Sequence, residues 1–241
     1  MFFDMPCVDG LRHSSWRQKA TRKNFYMLRI FTRPVPLAWL LALCTFIPVV
    51  TAAVLVVQIP LGALPADALR LTAAPVMYFL HALGGVVFGV LGPVQLVSAL
   101  RHRFGFLHRL SGRVFVLAGW TMALAGLGLL WQVESVATAL LDVARGVFSL
   151  ALMALLALGV MAARKRNMGQ HRAWMVRAYV TGMGTGPVAL VMFPIYLMTG
   201  KPLQGLLSDT VVVGMWLITI ATGEWVIRRR AVQKPLQPIV A

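Results

Sequence analysis

The sequence predicts an all-α integral membrane protein, a bundle of about six transmembrane helices with its N- and C-termini in the cytoplasm. The chain has 241 residues, of which 59% are hydrophobic and 12% charged, and its mean hydropathy is +0.77. So apolar a chain cannot bury its side chains in one water-soluble core, and its apolar runs are too long for barrel strands. In an α-helix the backbone N–H and C=O groups form hydrogen bonds within the segment, which is necessary in hydrocarbon because no water is available there. The predicted spans are about residues 36–59, 76–100, 113–132, 146–163, 176–198 and 210–227.

The orientation is predicted from the placement of basic residues. Twenty of the 23 Lys and Arg residues lie on one predicted side: before the first span, between the second and third, between the fourth and fifth (or at the start of the following span), or after the sixth. The three exceptions are Arg70, Arg145 and Lys201. Lys and Arg near a span are retained on the cytoplasmic side during insertion. The sequence therefore predicts both termini inside and a multi-pass protein of the cell inner membrane.

The predicted domain organisation is simple. Residues 1–33 form a basic cytoplasmic tail, residues 34–230 the six-helix transmembrane domain and residues 231–241 a second cytoplasmic tail. Met27 is an alternative start, which would remove residues 1–26 from the native protein. The first span follows positive charge as a signal peptide would, but it exceeds the usual core of about 7–15 residues, so an uncleaved anchor is expected.

The net charge of +16 would suggest nucleic acid as a partner of a soluble protein. Here the charges lie in short loops beside apolar segments, so the expected partner is the lipid bilayer with its anionic headgroups, and not nucleic acid. Cys7 and Cys44 fall in the tail and the first span, which makes a disulfide unlikely on geometric and redox grounds. Gly85 and Gly89, like Gly182 and Gly186, are spaced for close helix packing, within one chain, in a homo-oligomer or against a membrane-complex partner.

Two His-Arg pairs are the candidate cofactor-binding residues. Each pair lies in a predicted cytoplasmic loop, residues 101–112 or 164–175, shortly before an arginine that opens the next span, Arg113 or Arg177. Imidazoles bind haem iron and metals, and arginines hold carboxylates or phosphates through paired hydrogen bonds. The alternative is ordinary interfacial charge with incidental histidines. The candidates are His108, Arg109, His171 and Arg172.

His81 is a separate candidate, one to two turns into the second span. An ionisable side chain there is costly unless it finds a partner. The 19 residues to Leu100 span about 28 Å of helix, so His81 lies toward the external face and cannot share a ligand with His108 or His171. Met153, in the fourth span, is a candidate second ligand beside His81, although no other feature of the sequence supports this pairing.

Glu224 is the acidic residue predicted inside a span. Arg228 follows four residues later, in the favourable order for a helical ion pair, and a proton relay is the alternative. Asp67, Glu134, Asp142 and Asp209 are expected to be solvated charges of external loops. No pattern of a metal site or of a nucleotide-binding loop occurs in the sequence.

A family resemblance is carried by residues 79–85 (Phe-Leu-His-Ala-Leu-Gly-Gly), 91–95 (Leu-Gly-Pro-Val-Gln), 107–109 (Leu-His-Arg), 112–113 (Gly-Arg) and 171–177 (His-Arg-Ala-Trp-Met-Val-Arg). Over about residues 76–198 the chain resembles a bacterial family of predicted multi-pass membrane proteins catalogued as a domain of unknown function. The resemblance implies a helical membrane bundle and supplies no activity. A weaker resemblance to transmembrane b-type cytochromes implies haem held between histidines, although the chain lacks a clear second pair of intramembrane histidines for a two-haem version.

The expected function is that of a non-catalytic structural, accessory or small-molecule-interacting membrane protein, with no catalytic residues assigned and the cofactor unknown. The first alternative is a membrane oxidoreductase that binds b-type haem or quinone at the cytoplasmic side. The second is a small-solute transporter, in which Gly182, Gly184, Gly186 and Pro187 would break the fifth span around a substrate.

Overall fold

A computed structural model describes residues 37–64, 69–96, 103–134 and 137–232. These residues form helices and connections, with no strand among them, so the predicted all-α class is confirmed. Residues 1–36, with Cys7 and His13, and residues 233–241 lie outside the described residues, as do Asp67 and His102 in two of the connections. The helices are α1 Leu37–Leu61, α2 Leu69–Ala73, α3 Pro75–Leu96, α4 Gly105–Gln132, α5 Ala139–Arg164, α6 Met168–Gly182, α7 Val188–Thr199 and α8 Gly205–Val232.

Five of these helices are long and apolar enough to cross a bilayer, within α1, α3, α4, α5 and α8. The predicted fifth span is not one helix: it is divided into α6, of 15 residues, and the apolar α7, of 12. At about 1.5 Å per residue α7 is about 18 Å long, so by itself it is shorter than the roughly 30 Å of hydrocarbon that a single-helix span crosses. The membrane bundle is confirmed, whereas the cytoplasmic position of its termini stays a prediction.

Several helices begin earlier than the apolar runs indicate. The loops predicted at residues 101–112 and 164–175 are wrong in their second halves, because α4 starts at Gly105 and α6 at Met168. Polar side chains near the headgroups do not interrupt a helix, and Asn167 caps α6 by accepting a hydrogen bond from the Gln170 N–H at 3.1 Å. His108 and His171 therefore lie in the first turns of helices.

The centre of the bundle is an aromatic stack contributed by three helices. Phe88 of α3 and Phe115 of α4 have ring centroids 4.3 Å apart, and Tyr179 of α6 lies 5.7 Å from Phe88. Leu156 of α5 is fully buried and belongs to the same core cluster. Such contacts determine helix association in lipid, where no water exclusion drives it.

Close backbone approach makes this core compact. At Gly84 of α3, a β-carbon would lie 2.8 Å from the carbonyl oxygen of Ala118 in α4, so only glycine fits there. The predicted pair Gly85 and Gly89 faces two different helices: Gly85 meets Met122 of α4 and Gly89 meets Val49 of α1. The structure therefore uses these small residues for packing within one chain.

Candidate functional site

Turns at residues 183–187 interrupt the helical backbone between α6 and α7. The turns at residues 183–187 leave carbonyl groups that no longer have α-helical partners. Trp216 of α8 donates its indole N–H to the Thr181 carbonyl at 2.6 Å, and the Thr219 hydroxyl lies 3.2 Å from the Gly184 carbonyl. Non-helical backbone at membrane depth requires such partners.

Two glycines let this segment lie between α1 and α8. A β-carbon at Gly184 would overlap the indole ring of Trp216, and one at Gly186 would lie 2.5 Å from the carbonyl oxygen of Cys44 in α1. Pro187, which cannot donate a backbone hydrogen bond, directly precedes α7. The helix interruption at Gly182–Pro187 that was considered for a transporter is therefore present, and Trp216 of α8 packs into it.

Glu224 lies at the centre of a cluster of arginines. Arg177 of α6 donates two hydrogen bonds to it, Nε to Oε2 at 2.9 Å and Nη2 to Oε1 at 3.0 Å. Arg228 adds a bond to Oε1 at 3.1 Å, which confirms the predicted helical pair. The guanidinium of Arg177 also lies 4.8 Å from the ring centroid of Trp174. Sequence reasoning named Arg177 as the residue that opens a span but missed its pairing with Glu224, although an arginine at the start of an apolar run requires an acidic partner.

His171 is fixed at the corner between α5 and α6. Its Nδ1 lies 2.8 Å from the carbonyl oxygen of Gly159, one helix earlier. A carbonyl only accepts, so Nδ1 carries the proton and, in the neutral ring, Nε2 keeps a lone pair. Metal-binding histidines are oriented in the same way. Arg172, the next residue, is exposed.

His108 and Arg109 occupy the corresponding first turn of α4. His108 is half-buried and Arg109 exposed. The short α3–α4 and α5–α6 connections place the starts of α4 and α6 on one side of the bundle, which we name the basic face: residues 103–113, 164–177 and 224–229. The structure thus places both His-Arg pairs on one face, at the starts of separate helices.

His81 lies away from the basic face. Its Nδ1 is 2.9 Å from the carbonyl oxygen of Met122 in α4. Met122 is 14 residues from His108 in the same helix, so the two histidines are about 21 Å apart along the bundle. This agrees with the separation predicted from helical rise. His81 as a whole residue is exposed on the side of the bundle, while its ring contacts Met122 and Gly126 of α4.

Tyr179 places a hydroxyl group in the apolar centre. The hydroxyl donates to the Gly89 carbonyl of α3 at 3.1 Å and lies 3.1 Å from the Thr45 hydroxyl of α1. Its ring packs directly on Gly92 of α3. One side chain of α6 therefore connects two other helices, and this contact was not predicted.

Asp209 corrects an expectation. It was predicted to be a solvated loop charge, but it lies buried near the start of α8, just after the first turn, and accepts a hydrogen bond from the Thr138 backbone N–H at 2.6 Å. That bond joins the start of α8 to the residue before α5. Asp142 instead pairs with Arg145 at 3.2 Å on the surface of α5. Within the described residues no three His, Cys, Asp or Glu side chains are grouped as a metal site.

The fold and these contacts define a polytopic α-helical membrane protein. A family model described as a predicted membrane protein, DUF2306, matches residues 78–227. That match covers more than half of the chain, and the chain therefore belongs to the DUF2306 family. No curated protein and no solved structure matches the chain. The comparisons do not support the weaker resemblance to b-type cytochromes.

Proposed function

We propose that this protein is a non-catalytic protein of the cell inner membrane that holds a small anionic molecule at its basic face. The observation that supports this proposal best is the fixed imidazole of His171, whose Nε2 is left available beside the exposed Arg172. Glu224, the acidic group of this face within the described residues, is already engaged by Arg177 and Arg228. Arginine side chains such as those of this face bind carboxylates or phosphates through charge-assisted hydrogen bonds.

The filled interruption between α6 and α7 favours binding over transport. In discontinuous helices of transporters, free backbone groups at the break coordinate the substrate. Here the Trp216 indole N–H bonds the Thr181 carbonyl, and the Thr219 hydroxyl, which donates to Met215 of its own helix at 2.8 Å, lies 3.2 Å from the Gly184 carbonyl. A substrate would have to displace two side chains of α8 to reach them.

A second candidate is b-type haem held by His108 and His171, and the hydrogen bond of His171 to Gly159 favours it. A protonated Nδ1 presents Nε2 to iron, as proximal histidines do. Arg109 and Arg172 would hold the propionates. Haem bound there would supply one-electron chemistry.

The test is native mass spectrometry of the detergent-purified protein, together with absorption spectra of the oxidised and dithionite-reduced forms. We expect a bound small molecule that is lost in His171→Ala and retained in Gln170→Ala, an exposed neighbour in the same turn. A reduced haem band with the same dependence would select the second candidate. Protein that carries no bound molecule, even when produced with ample haem, would refute both.

The proposed orientation is tested separately by cysteine labelling in intact cells. A membrane-impermeant maleimide should label a cysteine at Leu203, between α7 and α8, and spare one at Arg166, between α5 and α6. The basis is the excess of Lys and Arg at the basic face. The reverse labelling pattern would show that the basic face is external.

A further inference from the structure

A binding surface is indicated on the side of α8 that faces away from α6. The inner side of α8 is defined by Trp216, whose indole bonds the Thr181 carbonyl, and by Gly223, where a β-carbon would meet Val180. The opposite side carries exposed residues spaced by three and four positions, which places them on one helix face. These residues are Ile218, Ala221, Thr222 and Trp225.

This outer face has a depression between two large side chains. Ile218 and Trp225 are two turns apart, about 10 Å along the helix. The turn between them carries the small residues Ala221 and Thr222, which leaves an open space of about 420 Å³. The Thr222 hydroxyl donates to the Ile218 carbonyl at 2.8 Å, so its polar group is bonded within α8. The depression is therefore suited to an apolar chain.

A positive charge lies at one end of the outer face. Arg229 is exposed, one turn after Trp225, and its guanidinium lies 4.0 Å from the centroid of the Trp225 ring. A guanidinium over an aromatic ring still has N–H groups with which to bind an oxyanion. Among the described residues no acidic side chain forms an ion pair with Arg229, whereas the neighbouring Arg228 bonds Glu224 at 3.1 Å. The apolar depression thus leads to a guanidinium that can hold a phosphate.

The length and charge of this face fit a phospholipid of one leaflet. Ile218 and Arg229 are about 16 Å apart along the helix, about half of the roughly 30 Å of hydrocarbon. Trp225 lies near the end of the span, where indoles are found at the level of the headgroups. A second copy of the chain fits less well, because a two-fold dimer through this face would place Arg229 against Arg229.

We propose that the outer face of α8 binds a phospholipid whose headgroup has a net negative charge, with an acyl chain against Ala221 and Thr222 and the phosphate on Arg229. A zwitterionic headgroup would add an ammonium group beside this arginine, which disfavours it. The lipid site does not depend on the small-molecule site proposed above, whose fixed imidazole, His171, belongs to α6.

The test is photolabelling of the full chain in phosphatidylcholine nanodiscs that contain a small fraction of phosphatidylglycerol with a diazirine in the middle of one acyl chain. Peptide mapping should find the label on α8, and phosphatidylglycerol should compete at least about five times better than phosphatidylethanolamine. Arg229→Gln should reduce the labelling about five-fold. Arg228→Gln removes the same charge from the same turn and should reduce it less than about two-fold, because Arg228 is engaged by Glu224.

Two tryptophan substitutions test the depression itself. Ala221→Trp fills it and should abolish the label on α8, whereas Leu217→Trp, at an exposed neighbour outside the depression, should retain it. His171→Ala should leave the labelling unchanged, so that failure of the lipid site is distinguishable from failure of the small-molecule site. Thermal unfolding shows which variants fold, and Arg229→Gln, a surface change, keeps the test decisive if Ala221→Trp does not.

Three results would overturn the proposal. The first is label spread evenly over the lipid-facing helices, and the second is an equal loss of labelling in Arg228→Gln and Arg229→Gln or equal competition by the two lipids. The third is a disulfide-linked dimer of Ala221→Cys, which would assign the depression to a second copy of the chain.

Discussion

Two glycines near the α6–α7 interruption should respond to alanine in opposite directions. At Gly184 the new methyl group would overlap the Trp216 indole. The indole cannot easily move, because it packs at a tilt against the Phe148 ring, with ring centroids 4.5 Å apart, and donates to the Thr181 carbonyl at 2.6 Å. Overpacking costs about 1–3 kcal/mol, and loss of the indole hydrogen bond about 1 kcal/mol more. Gly184→Ala should therefore lower the free energy of unfolding by about 2–4 kcal/mol.

Gly214 is the matched control in α8, because a β-carbon there meets nothing within 4 Å. Alanine at such a helix position should raise the free energy of unfolding by about 0.5–1 kcal/mol. Unfolding by SDS in mixed micelles, followed by tryptophan fluorescence, measures both variants. If Gly184→Ala is as stable as Gly214→Ala, the indole does not seal the interruption, and the argument against transport loses its basis.

Three further contacts yield measurable predictions. Glu224→Gln should lower the free energy of unfolding by about 1–3 kcal/mol. Double-mutant cycles should give a coupling energy of about 1–2 kcal/mol between Glu224 and Arg177 and less than about 0.5 kcal/mol between Glu224 and the exposed Arg228. Equal coupling energies would contradict the structure. Tyr179→Phe should lower the free energy of unfolding by about 0.5–1.5 kcal/mol, because the Gly89 carbonyl and the Thr45 hydroxyl each lose the Tyr179 hydroxyl as a partner. No change would show that this hydroxyl does not connect the helices. Asp209→Ala should lower the free energy of unfolding by about 1–2 kcal/mol. Asp209→Asn should lower it less, because the amide oxygen still accepts the hydrogen bond from the Thr138 N–H. An equal loss in both variants would show that the negative charge, and not this hydrogen bond, is what stabilises the protein.

The sequence predicts the fold well because hydropathy acts over whole segments. Five of the six predicted spans correspond to helices long and apolar enough to cross a bilayer, and the remaining one, the fifth, corresponds to a shorter apolar helix with the end of α6 before it. The other errors concentrate at the ends, where His108 and His171 lie in helices that begin before the apolar runs. The division of the fifth span was considered from its glycines and Pro187, but hydropathy alone predicts one continuous helix. Whether such a segment breaks depends on partners such as Trp216, which lies about 30 residues later in the sequence.

The contacts of the candidate site are less predictable. Local spacing identified the Glu224–Arg228 pair, which is contained in one helix. The stronger partner, Arg177, comes from another helix, and no pattern in a single sequence specifies which faces of α6 and α8 meet. Asp209 was misread for the same reason: a charge at the end of a span looks solvated until the neighbouring helix start is placed beside it.

The least apolar of the membrane helices, α6, is the one with the most polar connections. It bonds α5 through His171, α8 through Arg177, and both α1 and α3 through Tyr179. Lipid satisfies apolar side chains as well as a neighbouring helix does, so polar groups gain most from a central position. The converse holds for α7, which has no buried residue and presents large apolar side chains outward. In a bilayer that apolar surface requires no protein partner. The least apolar helix therefore has the most polar contacts with other helices and an apolar helix lies at the edge, whereas in a water-soluble protein the most apolar helix is the one usually buried.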